Sequence, residues 1–369
     1  MSLYRGVIPE NRVLSIDALR GFDMFLIIGG GAFISNLLRV IDTPFNQAIF
    51  SQMHHAEWHG FTAWDLIFPL FLYIVGASMP FSLSGRLEKG DSRKNIYHHI
   101  VKRAIILYFF GMIIEAGRIN NFGGLRYTGV LHRIAFCYLF ASLIVMNTRV
   151  AGQALWAVFL LIFYWVIMTF VPVPGYGSGV FTPEGNLASY VDRLFLPGIL
   201  YHDVFDNEGI LSTVPAISTT LLGVLSGHWL RSSFLPGRKS AGLCAVGVLS
   251  LILGLLWNMI FPINKLIWTS SYVLYSGGWS MLLLGIFYWI IDVRGYRTWA
   301  FPFVVIGLNA ITIYMAGSLF DFGRIVAIFT YEFIDILKSL QPLFRASSIL
   351  FVKWLFLYYL YRKKLFLKV

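Results

Sequence analysis

Residues 54–83 read HHAEWHGFTAWDLIFPLFLYIVGASMPFSL, a polar loop that runs straight into an apolar stretch. From Thr62 to Leu83 the only charge is Asp65, and about 20 such residues suffice to cross the hydrocarbon of a bilayer as a helix. Backbone polar groups find no water there, so the run has to close its hydrogen bonds internally. The loop before it gathers His54, His55, Glu57 and His59, and Asp65 follows four residues into the span. Imidazole titrates near neutral pH. Imidazoles beside carboxylates at a membrane surface therefore suggest proton-transfer chemistry.

The same apolar pattern recurs along the chain. Spanning windows are predicted at Ala18–Leu38, Thr62–Leu83, Ile96–Ile114, Gly129–Met146, Ala151–Val171, Thr213–Leu230, Ala241–Phe261, Ser271–Ile291, Phe301–Leu319 and Ser347–Tyr361. With 57% hydrophobic and only 13% charged residues, the chain lies outside the soluble globular range, where about a quarter of residues are charged. The fold predicted is an all-α polytopic membrane helix bundle of about ten transmembrane helices, a single domain over residues 1–369. The third window is the weakest, because Lys102 and Arg103 must snorkel from it toward headgroups. Asp321–Leu340 mixes apolar and charged residues and reads as an interfacial or re-entrant helix. The first run begins only after Asp17 and Arg20 and ends in no cleavage site, so it is expected to remain as a membrane helix.

Orientation follows from charge. With the N-terminus cytoplasmic, 19 of the 29 Lys and Arg residues fall on the inner side, nine on the outer side, and Lys353 within the last span. That asymmetry is the positive-inside bias. It accounts for much of the net charge of +11 without a nucleic-acid partner. Cys137 and Cys244 both fall in apolar spans, so no disulfide is expected. The longest irregular stretch, Pro172–Ser212, lies on the outer side and carries Glu184, Asp192, Asp203, Asp206 and Glu208 against the single Arg193. An acidic loop of this kind is suited to attract a cationic substrate.

Leu14-Ser15-Ile16-Asp17-Ala18-Leu19-Arg20-Gly21-Phe22 resembles the opening of two membrane acyltransferase families, the heparan-alpha-glucosaminide N-acetyltransferases and the broader sugar O-acyltransferases. Later blocks separate the two. His55-Ala56-Glu57-Trp58-His59-Gly60-Phe61-Thr62, then Asp65-Leu66-Ile67-Phe68-Pro69 and Ile74-Val75-Gly76, resemble the histidine loop and second helix of the N-acetyltransferase family. Residues 129–135, 208–216 and 261–273 are similar to that family's further blocks, in the same order. The resemblance implies transfer of acetyl from acetyl-CoA, supplied from the cytoplasm, to an amino sugar or glycan acceptor on the far side of the membrane. It also implies that His55 is the active histidine. Two departures stand out: Gly29-Gly30-Gly31 occupies the place where the family often has an Asn, and His132 stands where it usually has Gln. The large luminal domain of the family's animal members has no counterpart, so a minimal form in the bacterial inner membrane is expected, multi-pass, with both termini cytoplasmic. Membrane lipid is a necessary partner and a homodimer is compatible with this reading.

Acetyl transfer from a thioester needs a base for the acceptor proton and donors for the developing oxyanion. His55 is the expected general base, with direct transfer favoured over an acetyl-imidazole intermediate; His59 and Asp65 complete the catalytic candidates. Asp65 is costly in hydrocarbon unless partnered, and either orients His55 or pairs with Arg133. The candidate substrate contacts are Glu57, Trp58, Arg133, Lys265, Trp268, Ser271, Tyr272 and Asn309. The run Gly29–Gly31 reads as close helix packing. Asp17 and Arg20, one turn apart, form either an ordinary i,i+3 pair or a place where CoA is admitted. Acetyl-CoA is the only cofactor expected, as donor. A zinc site on His55 and His59 at helical i,i+4 spacing lacks a third ligand and the HExxH pattern. Two rival readings remain: an amino-sugar permease, which inverted repeats would favour although none is visible, and a scaffold for cell-envelope enzymes, which would leave Asp65, Arg133 and Asn309 without use.

Overall fold

The computed structural model of the protein describes residues 12–41, 43–88, 90–117 and 124–367. Arg5, Lys89, Arg118 and Lys368 of the charge count, and both chain termini, lie outside the described residues. The described residues form two compact units, one drawn from residues 1–55, 62–67 and 286–368 and the other from residues 56–61 and 68–285.

The first unit opens with α1 (Leu14–Phe25), which passes through a π-helical turn at Leu26–Gly30 into α2 (Gly31–Val40), followed by α3 (Pro44–Ser51). Gly29 sits in that turn at φ 148°, a value that side chains disfavour and glycine tolerates. A Cβ on Gly31 would lie 2.1 Å from the Trp64 ring. The close packing read into the glycine run is thus found at Gly31, while Gly29 makes the kink. The second unit holds nearly all of α4 (Ile67–Glu88), then α5 (Arg93–Gly117), α6 (Val130–Asn147), α7 (Val150–Phe170), α8 (Leu187–Phe195), α9 (Ile210–Arg231), α10 (Pro236–Asn258) and most of α11 (Ser270–Tyr288). The chain then returns to the first unit with α12 (Phe301–Leu308), α13 (Ala310–Leu319), α14 (Phe322–Ile334) and α15 (Gln341–Arg362).

Glycines let helix backbones touch within each unit, as small residues do between membrane helices. A Cβ on Gly21 of α1 would meet Phe303 O of α12 at 1.7 Å, and one on Gly307 would meet Asp17 O at 2.1 Å. In the second unit Gly76 of α4 faces Thr220 O at 1.9 Å and Gly223 of α9 faces Tyr73 O at 2.0 Å. Around that contact Leu72, Tyr73, Ile74, Leu221 and Val224 are fully buried. On α10, by contrast, Val246, Leu249, Leu253 and Leu256 are exposed, as apolar side chains are where lipid is the solvent.

Among the described residues eight helices are long and apolar enough to cross a membrane, or nine if the pair α12 and α13, bent by 72°, counts as one broken span. The remaining predicted window falls on α5, a helix of 25 residues whose Lys102 and Arg103 keep it from the purely apolar class. The stretch 321–340 contains α14, which at 13 residues is too short to span. Pro172–Ser212 is less irregular than its composition implied: it contains α8 and ends in the first turn of α9.

Candidate active site

The loop from residue 52 to residue 62 contains no helix, because the entry to the span is stitched back onto the end of α3. Trp64 N–H donates to Gln52 O at 3.0 Å, Ala63 N–H to Gln52 Oε1 at 3.2 Å, and Thr62 Oγ1 to His54 O at 2.6 Å. Asp65, in the first turn of the span, is buried. Its Oδ2 accepts from Thr62 N–H at 3.0 Å, and its Oδ1 lies 2.7 Å from His55 Nδ1. The contact with His55 is one of the two weighed for Asp65. The His55 side chain is 48% exposed. An ionised Asp65 holds the imidazole proton on Nδ1, which leaves Nε2 as the basic nitrogen on an accessible ring. The helical spacing considered for a zinc pair of His55 and His59 does not exist in this loop. Among the described residues no group of three His, Cys, Asp or Glu side chains is placed to hold a metal ion.

In the second unit, residues 56–61 dock on other loops. Gly60 N–H donates to Ile263 O at 2.8 Å and Trp58 Nε1 to Phe181 O at 2.7 Å. Asn264 Nδ2 stands 3.4 Å from His59 Nδ1, while its Oδ1 accepts from Leu266 N–H at 2.8 Å and Ile267 N–H at 3.1 Å. Loss of water around the ring lowers the His59 pKa below the ordinary imidazole value, so it is neutral at physiological pH. Glu57 is exposed and Lys265 half-buried. Trp268 is buried with φ 53° and donates through Nε1 to Thr219 Oγ1 at 3.2 Å. The guanidinium of the buried Arg133 lies over its ring, 4.8 Å from the centroid, and donates to Ser212 Oγ. Arg133 Nε and Nη1 have no hydrogen-bond partner among the described residues. Ser271 donates to Phe261 O at 2.6 Å, and the buried Tyr272 packs edge-on against Trp268 with centroids 5.2 Å apart.

The acidic face expected of Pro172–Ser212 is largely consumed inside the protein. Arg126, which sequence reasoning passed over, pairs with Asp206 at 2.6 Å and with Glu208 at 2.5 Å. Its side chain is 7% exposed and that of Asp206 is 0% exposed. Burial works against both charges, but the mutual hydrogen bonds and Coulomb attraction outweigh it: the Arg126 pKa rises and that of Asp206 falls. Asp192 is buried too, accepting from Ile210 N–H at 2.9 Å. Desolvation, against that hydrogen bond and with the nearby Asp206 charge, pushes its pKa up to about 7. Glu184 and Asp203 are the members of the set left exposed.

The remaining candidates belong to the first unit. Asp17 Oδ1 accepts from Arg12 at 2.9 Å and from Arg20 at 3.1 Å, so the i,i+3 pair exists and is joined by a second cation. Asn309 sits at the break between α12 and α13, where its Nδ2 donates to Leu365 O at 3.1 Å and its Oδ1 accepts from Leu367 N–H at 3.3 Å. Asp23, not foreseen, is fully buried on α1 with neither carboxyl oxygen partnered among the described residues. His132 is buried over Gly111, where a Cβ would lie 2.6 Å from its ring. A charge inside an apolar run was the signal available for Asp23. For Arg126 it was a cation in the stretch just before α6, with a run of carboxylates elsewhere on the same predicted side.

The catalytic-region model of heparan-alpha-glucosaminide N-acetyltransferase matches residues 12–259. The chain is 28% identical to the Homo sapiens heparan-alpha-glucosaminide N-acetyltransferase over 420 residues, covering 97% of this chain and 60% of the human one. It is 27% identical to the Mus musculus enzyme of the same name, covering 98% of this chain and 62% of that protein. The chain thus spans about three fifths of the length of these relatives.

Proposed function

The chain belongs to the heparan-alpha-glucosaminide N-acetyltransferase family, and from that premise we propose that it is an integral membrane acetyltransferase moving acetyl from cytoplasmic acetyl-CoA to an amino sugar on the extracytoplasmic side. The observation that carries this reading is the contact of 2.7 Å between His55 Nδ1 and Asp65 Oδ1, a buried carboxylate holding an accessible imidazole. His55 Nε2 receives the proton that the acceptor amine loses as its nitrogen bonds the acetyl carbon, and returns it to the departing thiolate. Asp65 fixes the tautomer and stabilises the imidazolium formed between those events. His59, being neutral, serves as a hydrogen-bonding group. Arg133 and Trp268, with Glu57, Trp58, Lys265, Ser271, Tyr272 and Asn309, are the proposed substrate contacts.

Acetyl-CoA supplies the acetyl group as a thioester, already activated toward attack. The residues present fit its phosphates at Asp17, where two guanidiniums share one carboxylate and leave a positive patch. Arg12, 41% exposed there, and Arg20 would hold them.

The test is turnover of acetyl-CoA by purified protein with and without glucosamine, for wild type, His55→Ala and His59→Ala. General base catalysis contributes about 10²–10⁴-fold, so His55→Ala loses turnover by that order while still binding acetyl-CoA, and His59→Ala loses less. Full activity in His55→Ala overturns the base assignment. A wild type that passes glucosamine across vesicles without binding acetyl-CoA would be a permease.

A further inference from the structure

We propose that a cavity at the junction of α13, α14 and α15 holds the phosphate of an anionic membrane phospholipid. The cavity is about 500 Å³ and is lined by Gly317, Asp321, Phe322, Arg345 and Lys353, among others. Lys353 belongs to a helix of spanning length and composition. Its Nζ donates to Ile28 O at 2.7 Å and stands 5.4 Å from the centre of the Phe322 ring. Arg345 is two turns earlier on α15, about 12 Å along the axis at 1.5 Å per residue. Among the residues whose side chains are described, a set that leaves out 331–336, no carboxylate pairs with either cation. The one carboxylate in the lining, Asp321, is taken by Arg324, through Nε at 3.3 Å and through the backbone N–H at 3.2 Å. Two cations therefore face one space in which Asp321, already paired with Arg324, is the carboxylate of the lining, and ionisable groups within membrane helices characteristically face a cavity or a partner.

The surroundings point to a lipid as the source of that anion. Ile328 and Phe329 on α14 and Phe351 and Leu355 on α15 are exposed apolar side chains, and only 6% of the most apolar window of the last span is buried. An anionic phospholipid brings a phosphate for the cations and acyl chains for these faces in one molecule. A free anion answers only the first.

The experiment uses the full chain in detergent, with phosphatidylglycerol or phosphatidylcholine added. Retained lipid is counted by native mass spectrometry and the unfolding midpoint is recorded. Wild type is expected to retain phosphatidylglycerol and to melt higher with it, and to do neither with phosphatidylcholine. Arg345→Gln and Lys353→Met should each weaken retention about tenfold or more, about 1.4 kcal/mol for each factor of ten. Gly317→Leu guards against misfolding: outside its own helix, a Cβ there meets only Lys353 Nζ, at 3.8 Å, so the added side chain starts in the open space of the cavity. It should abolish retention while leaving the lipid-free midpoint unchanged. Equal retention by wild type and Gly317→Leu overturns the proposal. So does inorganic phosphate that raises the midpoint as far as the lipid does, or displacement of the lipid by acetyl-CoA, which would assign the cavity to the donor.

Discussion

In the proposed mechanism His55 acts through one oxygen of Asp65, and that dependence can be separated from the other contact of the same carboxylate, accepting from Thr62 N–H. In Asp65→Asn the amide oxygen can still serve Thr62, but an amide nitrogen facing His55 drives the imidazole proton to Nε2 and removes the base. Turnover should fall about 10²-fold or more with acetyl-CoA binding retained. A fall in unfolding midpoint alone, with turnover preserved, would reduce Asp65 to a cap. Arg126 is the opposite case, a charge whose work is structural. Removing it in Arg126→Met leaves Asp206 buried without its partner, a class of change that costs about 3–5 kcal/mol. Asp206→Asn should therefore depress the unfolding midpoint without changing the salt dependence of the acceptor KM. Any long-range attraction of a cationic sugar rests on Glu184 and Asp203, both exposed.

Between elements, α1 and α12 meet backbone to backbone at Gly21 and Gly307. Gly21→Ala forces a Cβ into Phe303 O and should destabilise the fold by about 1–3 kcal/mol, the usual range for overpacking, read as a lower unfolding midpoint. The joint between α8 and α9 carries a pH dependence. Asp192 titrates near 7 in the folded protein and near 3.9 when unfolded, so between those values the folded state binds the additional proton. The contribution of Asp192 to stability is then greatest at the acidic end of the window, falls as pH rises toward 7, and levels off above it. Asp206, with its lowered pKa, acts only below the same window, where its contribution is lost as pH falls. Midpoints measured from pH 5 to pH 8 should fall further, or rise less, in wild type than in Asp192→Asn, since the lowered pKa of His59 acts in the opposite sense in both; parallel curves would show that Asp192 does not titrate there. The kink of 72° after α12 was not legible in the apolar run 301–319. It falls at Asn309, whose side chain bonds backbone groups of Leu365 and Leu367, more than 50 residues along the chain.

For the whole molecule, orientation is the property most open to test. Cys137 and Cys244 are free and would be replaced first. Cysteines at Lys94 and Arg238 should then react with an impermeant reagent only once the inner face is opened, and one at Glu184 should react from outside; all three positions are exposed. Labelling of Lys94→Cys in intact cells would reverse the proposed direction of transfer. What the amino-acid order determined by itself is what depends on local composition: where the chain is apolar long enough to be helical in lipid, which loops gather titratable groups, and the family, carried by short blocks around His55 and residues 261–273. What the tertiary structure alone decided is which polar groups cancel one another. Asp206 and Glu208 read as a surface charge until Arg126, some 80 residues earlier, is folded against them, and the cations of the α15 cavity become a pair only when α13 and α14 fold over that helix. Hydropathy is a sum over neighbours in sequence, whereas an ion pair or a cavity depends on distances that only the folded chain sets.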